Sequence, residues 1–149
     1  MKWLFGDITG PGTVNGTYDV VTLIETLEHI ELAELPGFVD ALRRCTTDDG
    51  KLFLTVPSKN VPVSGHHVQH FDVPTLTAIL GKRFAIEQVV HLNRNAPAVK
   101  LVFRYLTSNR FFVIVHPRIL TGLYTWYRKR FLIGTETDTK RIFLACRAV

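Results

Sequence analysis

Two short apolar runs, Tyr18–Ile24 and Lys51–Val56, constrain the fold most. Each is rich in β-branched or large apolar side chains and too short for an independent helix. Such a run reads as a strand covered on both faces, the habit of sheets flanked by helices. Between the two lies a helix-compatible stretch around Phe38, Val39, Leu42 and Arg43, with Pro36 suited to its first turn. The polar cluster Thr46–Gly50 predicts a turn after it, and Pro57 ends the second run. Further on, Asp72 can cap a helix that has Pro74 in its first turn and Leu76, Ile79 and Leu80 inward. Phe84–Leu92 and Arg141–Ala148 read as strands, as does Trp3–Phe5 before a Gly/Pro/Asn-rich loop. Strands alternating with helices predict an α/β fold with a mainly parallel sheet.

Composition narrows the class. With 149 residues, 46% hydrophobic and 21% charged, the chain has the make-up of one globular domain. No apolar run approaches the ~20 residues of a spanning helix, and the first ten residues are too polar for a secretory signal. Cys45 and Cys146 fit neither metal spacing nor a disulfide framework. Together these predict a soluble cytoplasmic protein. The net charge is +5, with acids concentrated in the first third and bases in the last: Arg104, Arg110, Arg118, Arg128, Lys129, Arg130, Lys140, Arg141 and Arg147. The basic rear suits an anionic or phosphorylated partner, or a solvated helix face. Within it, His116–Phe131 places Ile119, Leu120, Leu123, Trp126 and Tyr127 near helical spacing, so residues 104–130 could meet RNA or an anionic membrane surface.

In open α/β sheets, ligands bind beyond the carboxyl ends of the strands. That rule selects Gly6-Asp7-Ile8, Ile24–His29 and Pro57–Asn60. Glu25, Glu28 and His29 form E-x-x-E-H, which on a helical turn brings three side chains to one face. With a histidine from His66, His67 or His70, they make an octahedral Mg²⁺ or Mn²⁺ site conceivable, the set being Glu25, Glu28, His29 and His70. The same three loop histidines are candidates for a general base, because imidazole titrates near neutral pH.

Several of these segments resemble class I S-adenosylmethionine-dependent methyltransferases. Residues 18–30 resemble the fourth strand of that family and its exit, and Asp49–Pro57 is similar to the fifth strand. His66-His67-Val68-Gln69-His70-Phe71, with the helix after it and Phe84-Ala85-Ile86, is similar to the next segment in the same order. The resemblance implies a partial Rossmann-like fold whose closing strand is antiparallel, with core elements over 1–95, a lid-like basic insertion over 96–135 and a closing strand over 136–149. It also implies S-adenosylmethionine as cofactor, contacted by Gly6, Asp7, Ile8, Ile24 and Glu25, with Asp7 accepting from the adenine amine. A small-molecule or phosphorylated acceptor would complete the reaction.

The family's G-x-G-x-G turn and the ribose-binding acid of its second strand have no counterpart in this sequence. By analogy the chain starts at the third strand. The resemblance therefore implies an incomplete domain that binds S-adenosylmethionine weakly or not at all, and is inactive alone. It also implies an unpaired edge along 18–24, covered by the N-terminus or by a second copy. Two rival readings keep the same residues. One is a non-catalytic interaction module derived from a methyltransferase. The other is half of a metal-dependent RNA 2′-O-methyltransferase, which the E-x-x-E-H motif resembles.

Overall fold

The computed structural model describes residues 6–10, 14–63, 65–108, 110 and 113–149. The expected strand at 3–5 lies outside them. The chain divides into two compact units, one of residues 1–90 with 141–149 and the other of residues 91–140.

The first unit is built on a sheet with strand order β1-β2-β4-β3, where β1 is Tyr18–Ile24, β2 Thr46–Pro57, β3 Phe84–Arg94 and β4 Thr139–Ala148. β1 and β2 are parallel, whereas β2 and β4 are antiparallel, with Leu54 opposite Leu144. The sheet is therefore mixed, its antiparallel strand being the last in the chain. On the sheet surface Glu87 of β3 is bonded by Lys51 of β2 at 2.7 Å and by Arg147 of β4 at 3.1 Å.

Helix α1, Leu35–Arg44, has Pro36 in its first turn and buries Leu35, Val39 and Leu42 at helical spacing. Helix α2, Val73–Leu80, starts from Asp72, whose carboxylate accepts from the Thr75 N–H at 2.9 Å, and buries Leu76 and Leu80. Their apolar faces join Leu52, Leu54 and Val56 of β2 and Ile142, Leu144 and Cys146 of β4 in one core.

Two local expectations are corrected. β2 begins at Thr46, because Asp48–Gly50 form an irregular bulge rather than a turn outside the strand: Tyr18 pairs with Thr46 and Val20 with Lys51. A Cβ on Gly50 would lie 2.5 Å from the Thr46 methyl, so glycine suits the bulge. β1 is not covered on both faces, since Tyr18, Val20 and Ile24 are exposed and only Val21 and Leu23 pack on the core. It is the sheet edge, and no strand among the described residues pairs with its outer side.

The second unit carries helices α3, Pro97–Thr107, and α4, Pro117–Tyr127, the latter continued by a π-helical turn over Arg128–Leu132. Phe103 stacks on Trp126 at 5.7 Å, and Phe131 packs on Trp126 and Tyr127. No described helix is long and apolar enough to cross a membrane.

Candidate functional site

The exits of β1 and β2 position Glu25, Glu28, His29 and the loop histidines. β1 ends at Ile24, which is 72% exposed, and the chain then turns sharply. Glu25 has a φ of +48°, a left-handed conformation that costs a residue with a Cβ about 1–2 kcal/mol. Its N–H donates to the Thr55 carbonyl at 3.0 Å, which fixes the exit against β2. One carboxylate oxygen accepts from Arg141 Nε at 3.0 Å, while Oε1 is buried without a hydrogen-bond partner. The left-handed backbone at the strand exit turns the chain away from the sheet edge.

A single 3₁₀ turn, Leu27–His29, follows. Leu27 drops into the core, and Glu28 is drawn in beside it until its side chain has no exposure. Neither Glu28 oxygen has a hydrogen-bond partner. Burial raises the Glu28 carboxyl above its ordinary value, its own backbone N–H opposes the rise, and the Glu25 charge adds to it while His29 and His67 reduce it.

The loop after β2 folds back over this turn. Phe71 is buried and bridges to Ser58, its N–H donating to the Pro57 carbonyl. The Val68 N–H donates to the Glu28 carbonyl at 2.8 Å, and the Gln69 amide donates to the Ile30 carbonyl at 2.7 Å. Gly65, at φ +69°, supplies the left-handed step that turns the chain ahead of the histidines.

Hydrogen bonding fixes the ring tautomers. His70 Nδ1 lies 2.9 Å from the Val61 carbonyl, which can only accept, so Nδ1 carries the proton. His70 Nε2 then accepts from His67 Nδ1 at 2.9 Å, which leaves the lone pair of neutral His67 on Nε2. His29 Nδ1 likewise donates to the His66 carbonyl at 3.1 Å, so its lone pair is also on Nε2. His29 Nε2 is 4.0 Å from Glu28 Oε1, and one ligand atom from each of Glu28, His29 and His67 lies within 4.8 Å of the others. Backbone or imidazole groups holding the far nitrogen of each ring is the usual second layer of a metal or proton-transfer site.

This arrangement sorts the residues singled out from sequence. Glu28 and His29 come together, joined by His67 rather than His70, since both ring nitrogens of His70 are engaged. Glu25 is turned to Arg141. His66 offers its carbonyl, and its side chain is exposed. Gly6 has φ +151°, and Asp7 accepts from the Thr9 N–H at 2.8 Å and from the Thr9 hydroxyl at 2.7 Å, bonds that lower its pKa. Asp7 also lines an open cavity of about 380 Å³ with Ile30, Glu34 and Phe38, while Ile8 packs on the core. The sequence carried no signal for Arg141 at Glu25 or for the Val61 carbonyl at His70, because both contacts depend on tertiary placement.

Residues 7–98 match the family model described as a methyltransferase domain, which is well over half of the chain. The chain belongs to this methyltransferase family. Solved structures repeat the architecture at low identity. An S-adenosylmethionine-dependent methyltransferase from Archaeoglobus fulgidus aligns with 88% of this domain and 59% of its own length, at 10% identity and a TM-score of 0.54. The N-methyltransferase NodS from Bradyrhizobium japonicum, solved with S-adenosyl-L-homocysteine, aligns with 96% of this chain and 52% of its own, at 12% identity and a TM-score of 0.56. Magnesium protoporphyrin IX methyltransferase from Synechocystis, also with S-adenosylhomocysteine bound, gives 97% and 49%, at 15% identity and a TM-score of 0.50. No curated protein matches the chain significantly. This methyltransferase domain thus spans about half the length of the solved structures it resembles.

Proposed function

We propose that this chain forms the acceptor side of an S-adenosylmethionine-dependent methyltransferase, with the methionine end of the cofactor held by groups beyond its own residues. The observation that carries the reading is the exit of β1. There Glu25 is held in a left-handed conformation with a buried, unpartnered oxygen, within a family match covering residues 7–98. Asp7 retains lone pairs after its two bonds from Thr9 and borders a cavity, so it can accept from an exocyclic amine. Ile24 offers an apolar wall at the strand exit. When bound, S-adenosylmethionine supplies a sulfonium methyl group that a nucleophile displaces directly. The chain's own contribution is alignment and removal of one proton. His67 is suited to the latter: its Nε2 lone pair is available and its ring is fixed through His70 to Val61, which makes His70 a positioning residue.

The missing glycine-rich turn and ribose acid would contribute two or three charge-assisted hydrogen bonds of roughly 1.5–3 kcal/mol each. Without them, a micromolar site falls to about millimolar or weaker. The test is S-adenosylhomocysteine titration of the isolated chain by calorimetry and by amide NMR. Millimolar binding with shifts centred on Gly6–Ile8 and Ile24–Glu28 is expected. Micromolar binding would show that the chain completes the pocket itself. Absence of shifts at those residues at millimolar ligand would refute the cofactor assignment and favour an interaction module, with the open edge of β1 as its pairing surface.

A second reading is favoured by the two orphaned Glu28 oxygens. Glu28, His29 and His67 bring one carboxylate and two imidazoles together, a set that suits Mn²⁺ better than the oxygen-seeking Mg²⁺; such a cation would neutralise the buried carboxylate and could grip acceptor oxygens. Mn²⁺ titration followed by electron paramagnetic resonance separates the two readings. Loss of the free-ion signal in the parent chain, but not in His67→Ala, supports the cation. An undiminished signal in both leaves His67 as a base.

A further inference from the structure

The second unit carries an apolar and cationic surface apart from the side chains of the candidate site. From residue 88 to residue 135 the sequence contains eight Lys or Arg and no Asp or Glu. Helix α4 buries none of its residues, and Thr139 alone is buried among the described residues of 91–140. Large apolar side chains stand in water instead. Leu101, Val102, Ile119 and Leu120 are 41–54% exposed, Val115 is 76% exposed, and Trp126 is 45% exposed. Between α3 and α4 an open groove of about 540 Å³ is walled entirely by apolar side chains, including Val99, Val102, Leu123 and Trp126. The π-helical turn then places Arg128, Lys129 and Arg130 at the end of the same apolar helix, all exposed and, among the described residues, in no ion pair.

We propose that α3, α4 and the basic turn form a docking surface for an anionic lipid bilayer, lying in its interface rather than crossing it. Three properties select this occupant. A helix with an exposed apolar face beside a cationic segment partitions into the headgroup–acyl boundary, and its binding strength combines apolar burial with attraction to anionic lipid. The complete lack of carboxylates suits a surface of one sign, whereas protein interfaces set both signs against each other. Beside the exposed rings of Tyr105, Tyr124 and Trp126, α3 and α4 expose Leu101, Val102, Ile119 and Leu120, aliphatic groups that a bilayer buries and a phosphodiester backbone does not use. The helices are too short and too cationic to span, which leaves the interface plane.

The test uses the whole chain in a Trp3→Phe background, where Trp126 is the remaining tryptophan. Sedimentation with vesicles of phosphatidylglycerol and phosphatidylcholine should pull down the protein and shift Trp126 fluorescence to the blue, and phosphatidylcholine alone should do so far less. Removing three exposed charges (Arg128→Gln, Lys129→Gln and Arg130→Gln) should weaken binding roughly 100-fold, at about 1 kcal/mol for each cation near the surface. These side chains are exposed, so the fold survives, and circular dichroism checks it. Ile119→Ser with Leu120→Ser should abolish the fluorescence shift. Absence of binding to the anionic vesicles, equal binding to phosphatidylcholine, or indifference to charge removal would each overturn the proposal. So would tighter binding of a single-stranded RNA at the same ionic strength, which would assign the surface to nucleic acid.

Discussion

Replacing Glu28 by glutamine tests the candidate site most directly, because the change keeps shape and removes charge. In the folded chain the Glu28 carboxylate is fully buried, has no hydrogen-bond partner and faces two imidazoles whose free nitrogens carry lone pairs. A buried polar group left unsatisfied costs about 1–3 kcal/mol, and more when charged. A glutamine amide could donate to either lone pair, so Glu28→Gln should stabilise the metal-free protein by about 1–3 kcal/mol at neutral pH. At roughly 2–4 °C per kcal/mol for a domain of this size, the melting temperature should rise by roughly 2–12 °C.

The pH dependence has a fixed sign. The folded-state pKa is raised above the ordinary 4.5, so the favourable contribution of Glu28 is complete below 4.5 and is lost as pH climbs through the raised value. The advantage of glutamine should therefore vanish in acid and grow towards neutrality. The assay is thermal unfolding by circular dichroism in chelator across that range, repeated with Mn²⁺. If a cation fills the site, the parent gains about 2.7 kcal/mol at a hundredfold excess over its Kd while the variant gains little, so the advantage of glutamine is cancelled or reversed. A Glu28→Gln protein less stable than its parent in chelator, by a margin independent of pH, would refute the argument.

Other perturbations probe the frame around the site. Asp72→Ala should cost about 1 kcal/mol through loss of the α2 cap, read as a drop in urea midpoint. Lys59 and Thr75 hold the Asp72 carboxyl well below its ordinary 3.8, so its contribution is present above 3.8 and fades as pH falls further, where the parent and variant midpoints should converge. Burial pushes the Cys146 thiol up to about 11, whereas Cys45 is half-buried; a thiol reagent should label Cys45 in the native protein and Cys146 only after denaturation. At Glu25 the left-handed backbone makes glycine better than alanine, so Glu25→Gly should be more stable than Glu25→Ala by about 1 kcal/mol in paired melts.

The parts of the fold legible in the sequence are those governed by neighbours along the chain. Pro36 and Pro74 sit in first turns, Asp72 caps its helix, and Leu76 and Leu80 turn inward as their spacing requires. What could not be read depends on partners distant in sequence. The pattern of β1 resembles that of a strand buried on both faces, yet its exposure follows from its place at the sheet edge. The start of β2 hid behind Asp48-Asp49-Gly50, whose turn chemistry serves a bulge.

The site shows the same division, with a consequence for its chemistry. E-x-x-E-H on a continuous helix would aim all three side chains one way. The chain makes only a 3₁₀ turn there, with Glu25 left-handed ahead of it, so Glu25 meets an arginine 116 residues away while Glu28 and His29 stay together. Among the loop histidines, residue type alone offers no choice; the choice falls to two backbone carbonyls. The Val61 carbonyl accepts from His70 Nδ1–H, so His70 Nε2 accepts from His67 and leaves the His67 lone pair on Nε2, while the His66 carbonyl accepts from His29 Nδ1–H and leaves the His29 lone pair on Nε2. Substituting His70 by glutamine therefore has a specific expected effect. If His67 loses its fixed tautomer, its Nε2 is no longer held as an acceptor, and Mn²⁺ affinity at that nitrogen should fall while the fold, anchored by Phe71 and Leu27, persists. Nitrogen-15 chemical shifts of the His67 ring read that tautomer directly. A His67 ring unchanged in His70→Gln would show that the relay from Val61 does not set the state of the site.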